Sequence, residues 1–148
     1  MRPSIERAKQ CQLLSIVMFP LVNGLRSIEF GNPGESRDKL VNFILHGQKR
    51  ATAGLLRDYI NENEPVEHVG ELLAMLDNDG KQVGTLKITR VEILRFIDVP
   101  DEFALAEAEG DLNAADFRAS HREFWEAEGE VIDDDTEIIT LYFDLLSE

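Results

Sequence analysis

Lys49 and Thr52 stand three residues apart in the run Gly47-Gln48-Lys49-Arg50-Ala51-Thr52-Ala53-Gly54, directly after an apolar-periodic segment. An amine and a hydroxyl at the start of a strand are a pairing that can do chemistry. A lysine acts as nucleophile or base only when desolvation or a neighbouring cation favours its neutral amine, and Arg50 and Arg118 are the candidate cations here. Strand alternation works against the pair. It would put Lys49 with Ala51 on one face and Arg50 with Thr52 on the other, so Lys49 and Thr52 converge only if the strand begins after a twist or bulge. Taken alone, Lys49 reads more readily as an exposed base at a helix-to-strand junction.

The elements that must position this run are legible from periodicity. Ser4 to Met18 reads as a helix ending before Pro20 and Asn23-Gly24. A second helix starts at Glu35 or Ser36, carries Leu40, Val41, Ile44 and Leu45 on one side, and stops at Gly47. Arg50 to Leu55 is a short strand, and Leu56 to Asn63 a helical turn before Pro65. Leu72 to Leu76 and Gln82 to Phe96 flank Asp77-Asn78-Asp79-Gly80 as a hairpin, whose second strand alternates imperfectly and must bend or bulge. Pro100-Asp101 opens a helix through Glu107, and Leu112 or Asn113 opens another that carries His121, Phe124 and Trp125. Glu137 to Leu146 alternates between Ile139, Leu141 and Phe143 on one face and Ile138, Thr140, Tyr142 and Asp144 on the other, as a sheet-closing strand does.

At 148 residues, with neither a repeat nor a long linker, the chain fits one domain able to bury a core without disulfides. Its one cysteine, Cys11, and the lack of any Cys/His cluster point to a cytoplasmic protein with no metal and no cofactor. The apolar stretch from Cys11 to Val22 is too short to span a bilayer and too interrupted for a signal peptide. Asp133-Asp134-Asp135 reads as a solvated turn. No dinucleotide, P-loop, zinc-protease or serine-hydrolase motif is present. Fifteen basic against 29 acidic residues give a net charge of −14, which disfavours tight, sequence-blind binding of nucleic acid. Lys49, Arg50, Arg57, Lys81, Lys87, Arg90 and Arg95 fall between the acidic runs, so a local cationic groove is compatible with that total.

Several segments together resemble the ASCH domain family. They are Glu29-Phe30-Gly31, Leu40 to Leu45, the Gly47 to Gly54 run, Val69-Gly70-Glu71, Leu76 to Gly80, Ala106 to Asp111, and Phe117 to Trp125. The resemblance spans roughly Glu29 to Phe143. It implies an α+β fold: a small mixed β-barrel (PUA-like) flanked by helices, a single domain over residues 29–148 behind an N-terminal helix and lead-in at 1–28. The family signature Gly-x-Lys-Thr-x-Thr is filled by Gly47, Lys49 and Thr52, with Arg50 where threonine is usual. Relatives that hydrolyse the amide of N4-acetylcytidine use the lysine as nucleophile or base, the threonine as its partner and a later glutamate as proton carrier. Glu109 is the best match to that glutamate and Glu107 the second, although Ala108 replaces the glycine of the usual Glu-Gly-Glu-Gly. His121, Phe124 and Trp125 match a His-x-x-Phe-Trp pattern.

Lys49, Thr52 and Glu109 are therefore the expected catalytic set. Arg50, Glu107, Arg118, His121 and Trp125 are the expected substrate-binding residues, with Tyr59 and Tyr142 as further candidates for the rim. For Phe124, core packing is the better reading. The resemblance implies a cleft for a nucleobase, a modified nucleoside or short single-stranded RNA, acting as an amidohydrolase on N4-acylated cytidine, as a ribonuclease, or by binding alone. The other class it leaves open is a protein-interaction module of the coactivator kind, with a protein partner.

Overall fold

The computed structural model describes residues 21–147. The helix expected at Ser4 to Met18 lies outside them. Within them the order is β1 (Leu21–Val22), β2 (Leu25–Ile28), α1 (Glu35–Leu45), β3 (Ala51–Leu55), α2 (Leu56–Asn61), β4 (Leu72–Leu76), β5 (Gln82–Arg95), a 3₁₀ turn (Phe96–Asp98), α3 (Asp101–Glu107), α4 (Ala114–Ala127) and β6 (Glu137–Ser147). No helix among the described residues is long and apolar enough to cross a membrane.

One six-stranded sheet, ordered β1-β2-β4-β5-β6-β3, organises the molecule; β2 pairs parallel with β4 and every other pairing is antiparallel. The alternation of β6 sorts two cores. Ile139, Leu141 and Phe143 face a cluster built with Phe30, Tyr59, Leu73, Met75, Leu86 and Ile88 under Leu40, Val41 and Ile44 of α1. Ile138 faces the other cluster, where Ala51, Ala53 and Leu55 of β3 meet Phe96, Phe103, Phe117 and Trp125 under α3 and α4. Helices thus cover both faces of a mixed sheet, which makes the domain α+β.

The bends foreseen in the long strand are present as register shifts at Thr85/Leu86 and Ile88/Arg90. The second of these re-phases β5, so that Leu86 and Ile88 join the first core while Leu94 packs on the second. The Asp77 to Gly80 turn closes β4 to β5 as expected, with Asp77 accepting from the Asp79 and Lys81 amides at 2.8 and 2.9 Å.

The sheet departs from the barrel expectation in one respect: it does not close. Among the described residues β1 and β3 stand at opposite ends and do not pair. The chain entering β3 already spends its backbone elsewhere. The Arg50 amide donates to Ala106 O at the end of α3, at 2.8 Å, so helix backbone rather than another strand meets that end of the sheet. Asn23-Gly24 opens a hairpin that the sequence reading did not include. With φ of 52° and 79° the pair forms the turn of the β1–β2 hairpin, where both central residues need positive φ.

Candidate functional site

Helix α1 ends at Leu45, and Gly47, at φ +78°, turns the chain back on itself. The Gln48 and Lys49 amides both return to Phe43 O, at 2.8 and 3.1 Å. Lys49 therefore belongs to the helix end, and strand alternation begins only at Ala51. Its side chain is fully buried. Nζ donates to Ala51 O at 2.7 Å, to Glu107 O at 3.3 Å and to Glu109 Oε2 at 2.6 Å, and lies 5.9 Å from the centre of the Phe30 ring. Three acceptors match the three N–H donors of an ammonium.

The far side of the site is the end of α3. Ala108 caps this helix in the left-handed region, at φ 56° and ψ 35°. That turn lets the Glu107 carbonyl and the Glu109 carboxylate approach Nζ together. Burial alone would raise the Glu109 carboxyl, but the Lys49 ammonium outweighs it and holds the group below its ordinary value. The Glu109 side chain keeps 21 % of its surface exposed against 0 % for Lys49, so solvent meets the pair through the carboxylate.

Behind this pair lies a second one. Glu107 is wholly buried, and His121 Nε2 stands 3.1 Å from its Oε1. Neither carboxylate oxygen of Glu107 has a well-directed hydrogen bond, which makes the contact ionic in geometry. On the other side of the imidazole, Nδ1 lies 3.1 Å from Phe117 O and 3.9 Å from Asp111 Oδ2. Burial would depress the His121 pKa, but the facing Glu107 carboxylate outweighs it and the pKa is raised. Phe117 stacks on the imidazole at 4.0 Å between centroids, and Trp125 meets it edge-on at 5.3 Å.

Glu107, Asp111 and His121 offer donor atoms within 4.8 Å of one another, the one grouping among the described residues with the makings of a metal site. The set is one imidazole and two carboxylates, and its ring already faces Glu107 Oε1 from Nε2 and Phe117 O from Nδ1, both at 3.1 Å, so an ion would compete with both contacts.

Thr52 pairs with Leu141 across β3–β6, so its side chain shares the face of the first core, the side on which Phe30 neighbours Nζ. Its Oγ1 is buried without a hydrogen-bond partner. Arg50 is exposed beside the site. Arg118 reaches Ile97 O at 3.4 Å. Trp125, 3 % exposed, packs against Phe96, and Tyr59, 2 % exposed, donates to Glu67 Oε1 at 2.8 Å. Tyr142 is half-buried under the Arg90 guanidinium, 4.8 Å above its ring, with its hydroxyl unpaired. The structure thus brings Lys49, Glu107 and Glu109 into direct contact and joins His121 to them through Glu107. Asp111, which accepts from Ser120 Oγ at 3.0 Å, was not singled out from the sequence. An acid four residues beyond Glu107 and ten before His121 gives no periodic signal across a helix break.

A six-stranded mixed sheet between helices, with a buried lysine gripped by the turn that ends a short helix, defines the class of domain. The ASCH domain model matches residues 26–147, and the chain belongs to the ASCH domain family. The chain is similar to the crystal structure of an ASCH domain from Lactobacillus crispatus, at 26 % identity and a TM-score of 0.73 over 97 % of this chain and 96 % of that one. A protein from Enterococcus faecalis shares the fold at 22 % identity and a TM-score of 0.74, over 97 % of this chain and 88 % of that one. No curated protein matches the chain.

Proposed function

We propose that the Lys49–Glu109 pair receives a nucleobase, free in a modified nucleoside or within a short single-stranded RNA. Membership of the ASCH family supports a nucleic-acid ligand, and the donor geometry at Lys49 carries the reading. Two of the three Nζ donors are tied to backbone carbonyls, and the third goes to the partly exposed Glu109. A ligand reaches the lysine by taking over part of the Glu109 bond. It must then offer an acceptor to Nζ and a donor to the displaced carboxylate. A pyrimidine edge with a carbonyl beside an amino or acylamino group has both. Exposed Arg50 is placed for a phosphate or ribose, and a single local cation suits a small ligand on a chain of net charge −14 better than a long RNA. With a single cysteine, we assign the protein to the cytoplasm.

The 2.6 Å contact gives an enzymatic version of this reading its proton path. The ion pair is the resting form, since the ammonium holds Glu109 ionised, and a bound ligand that shuts water out of the carboxylate drives the proton from Lys49 to Glu109 and frees the amine. The amine takes a proton from water as the water oxygen attacks the acyl carbon of an N-acylated cytosine, and the C–N bond breaks as Glu109 returns its proton to the leaving nitrogen. Lysine ends as ammonium and glutamate as carboxylate, with the acid and cytidine released. The test is incubation of wild type and Lys49→Met with acylated cytidines, free nucleosides and a labelled single-stranded RNA, following binding by calorimetry and products by mass. Lysine-dependent hydrolysis supports the enzyme. Lysine-dependent binding without turnover supports the binding module. No binding by either protein defeats the reading and favours a protein-interaction role.

A further inference from the structure

We infer that His121 is a positioning residue, held as an imidazolium between Glu107 and Asp111, and that it sets the grip of the α3 end on Lys49. The inference deepens the reading of the Lys49 site and rests on it for its functional consequence.

The geometry around the ring assigns its protons. Nδ1 faces Phe117 O at 3.1 Å, a backbone carbonyl that can only accept. Nε2 faces Glu107 Oε1 at 3.1 Å, and a carboxylate also accepts. With Glu107 ionised, a neutral imidazole carries one N–H and would leave one of these contacts acceptor against acceptor; the doubly protonated ring suits both, and the ionic pair it forms with Glu107 needs no aligned hydrogen bond. The Ser120 hydroxyl, 3.3 Å from Nδ1, lies 3.0 Å from both Asp111 oxygens and donates there. The charged groups facing the ring are Glu107 from α3, Glu109 from the turn after it and Asp111 from the approach to α4. Phe117 and Trp125 close its remaining sides. Every facing charge is negative, and burial pushing toward the neutral ring is outweighed.

The consequence passes through the backbone of one residue. Glu107 has its carboxylate fully buried and its carbonyl on Lys49 Nζ at 3.3 Å. An uncompensated carboxylate at that depth would be expelled or protonated. Either response moves the turn that carries both the Glu107 carbonyl and Glu109. His121 thus acts on the lysine without touching it, by keeping Glu107 charged and inside.

The experiment is a pair of NMR titrations on the full chain, reading the His121 ring carbons and nitrogens and the Lys49 Nζ resonance, in wild type and in Glu107→Gln. His121 is expected to be doubly protonated at neutral pH and to titrate above an ordinary histidine, with Lys49 Nζ shifting at the same midpoint. In Glu107→Gln that midpoint falls. A neutral His121 at pH 7, or a Lys49 Nζ signal blind to its titration, overturns the proposal. So does stoichiometric binding of Zn²⁺ or Mn²⁺ that shifts the His121 ring, because the ring then serves a metal. These readouts need no ligand, so nucleoside binding can fail while the inference stands. If a cytidine ligand does bind, its affinity should fall between about tenfold and 10²-fold as pH rises through the His121 midpoint. His121→Gln should be weak throughout and lack that step. Should it not fold, the wild-type titration still decides.

Discussion

Arg26 and Lys49 both set a cation among carboxylates away from open solvent, and they are partnered in opposite ways. Arg26 on β2 meets three carboxylates from the segment between α2 and β4: Glu64 at 2.8 Å, Glu67 at 3.7 Å and Glu71 at 3.5 Å. Lys49 meets one carboxylate and two carbonyls. A guanidinium keeps its proton at any working pH, and the surrounding acids raise Arg26 further although burial opposes them. An ammonium whose third bond goes to a carboxylate that solvent can reach is able to exchange that bond for another. The first site fastens a loop to the sheet edge; the second leaves one bond open to exchange.

Substitutions that keep bulk and remove charge separate the two. The largest expected effect is at the fastening site. Arg26→Met strips the guanidinium from Glu64 and Glu67, and denaturant unfolding should show a loss of about 3–5 kcal/mol, as for removing one partner of a buried ion pair. A loss well under 1 kcal/mol would erase the contrast. Lys49→Met should cost about 1–3 kcal/mol, less than Arg26→Met because Glu109 can turn to water and only the Ala51 and Glu107 carbonyls lose a buried donor, while calorimetry shows nucleobase affinity falling at least ~10²-fold. If affinity survives, the exchangeable bond is not the binding point. Thr52→Val removes a buried hydroxyl that has no partner. Thermal unfolding should then show a gain of roughly 1 kcal/mol, with ligand binding weakened. An unchanged affinity would leave Thr52 a packing residue.

The smallest effect sharpens the comparison through pH. Glu109 is held below its unfolded value, so its pairing with Lys49 stabilises the fold above about pH 4.5 and is lost as pH falls through the folded pKa. His121 is raised, so its pairing is fully present below about pH 6.5 and is lost as pH rises through its own folded pKa. Melting temperature against pH should carry an acid limb that Lys49→Met flattens and an alkaline limb that it leaves alone. Loss of both limbs in that variant would mean the two pairs act as one unit.

Much of this was written in the sequence where one period dominates. The strict alternation of Ile138 to Asp144 gave β6 and its division between two cores, and Asp77 to Gly80 gave the hairpin. Asn113 caps α4 by accepting from the Asp116 amide at 2.9 Å, as its residue type suggests. Failures occur where local signals conflict. The β1–β2 hairpin at Asn23-Gly24 went unseen, because a two-residue strand is too short to alternate. Alternation could not place Lys49, because the Gln48 and Lys49 amides still return to Phe43 O and the strand begins only at Ala51. Closure of the sheet depends on which backbone meets the β3 edge, and α3 arrives from more than fifty positions away. The Glu107–His121 pairing was invisible for a similar reason. Two residues separately read as facing a ligand face each other instead, across a helix break that carries no periodicity.

The position of β3 has a consequence for how the domain is made. Among the described residues its one strand partner is β6, with Ala51 beside Tyr142 and Leu55 beside Ile138, so nearly the whole described chain must be in hand before it can dock. Contacts of such separation form late, since the loop entropy must be overcome first. Strands β4 and β5 can meet early through their four-residue turn. The lysine, the α3 turn and the imidazole behind it come together only when the last strand arrives. A chain still emerging from the ribosome would carry a half-built sheet and no enclosed lysine at all, so the Lys49 pairing itself reports that folding is complete.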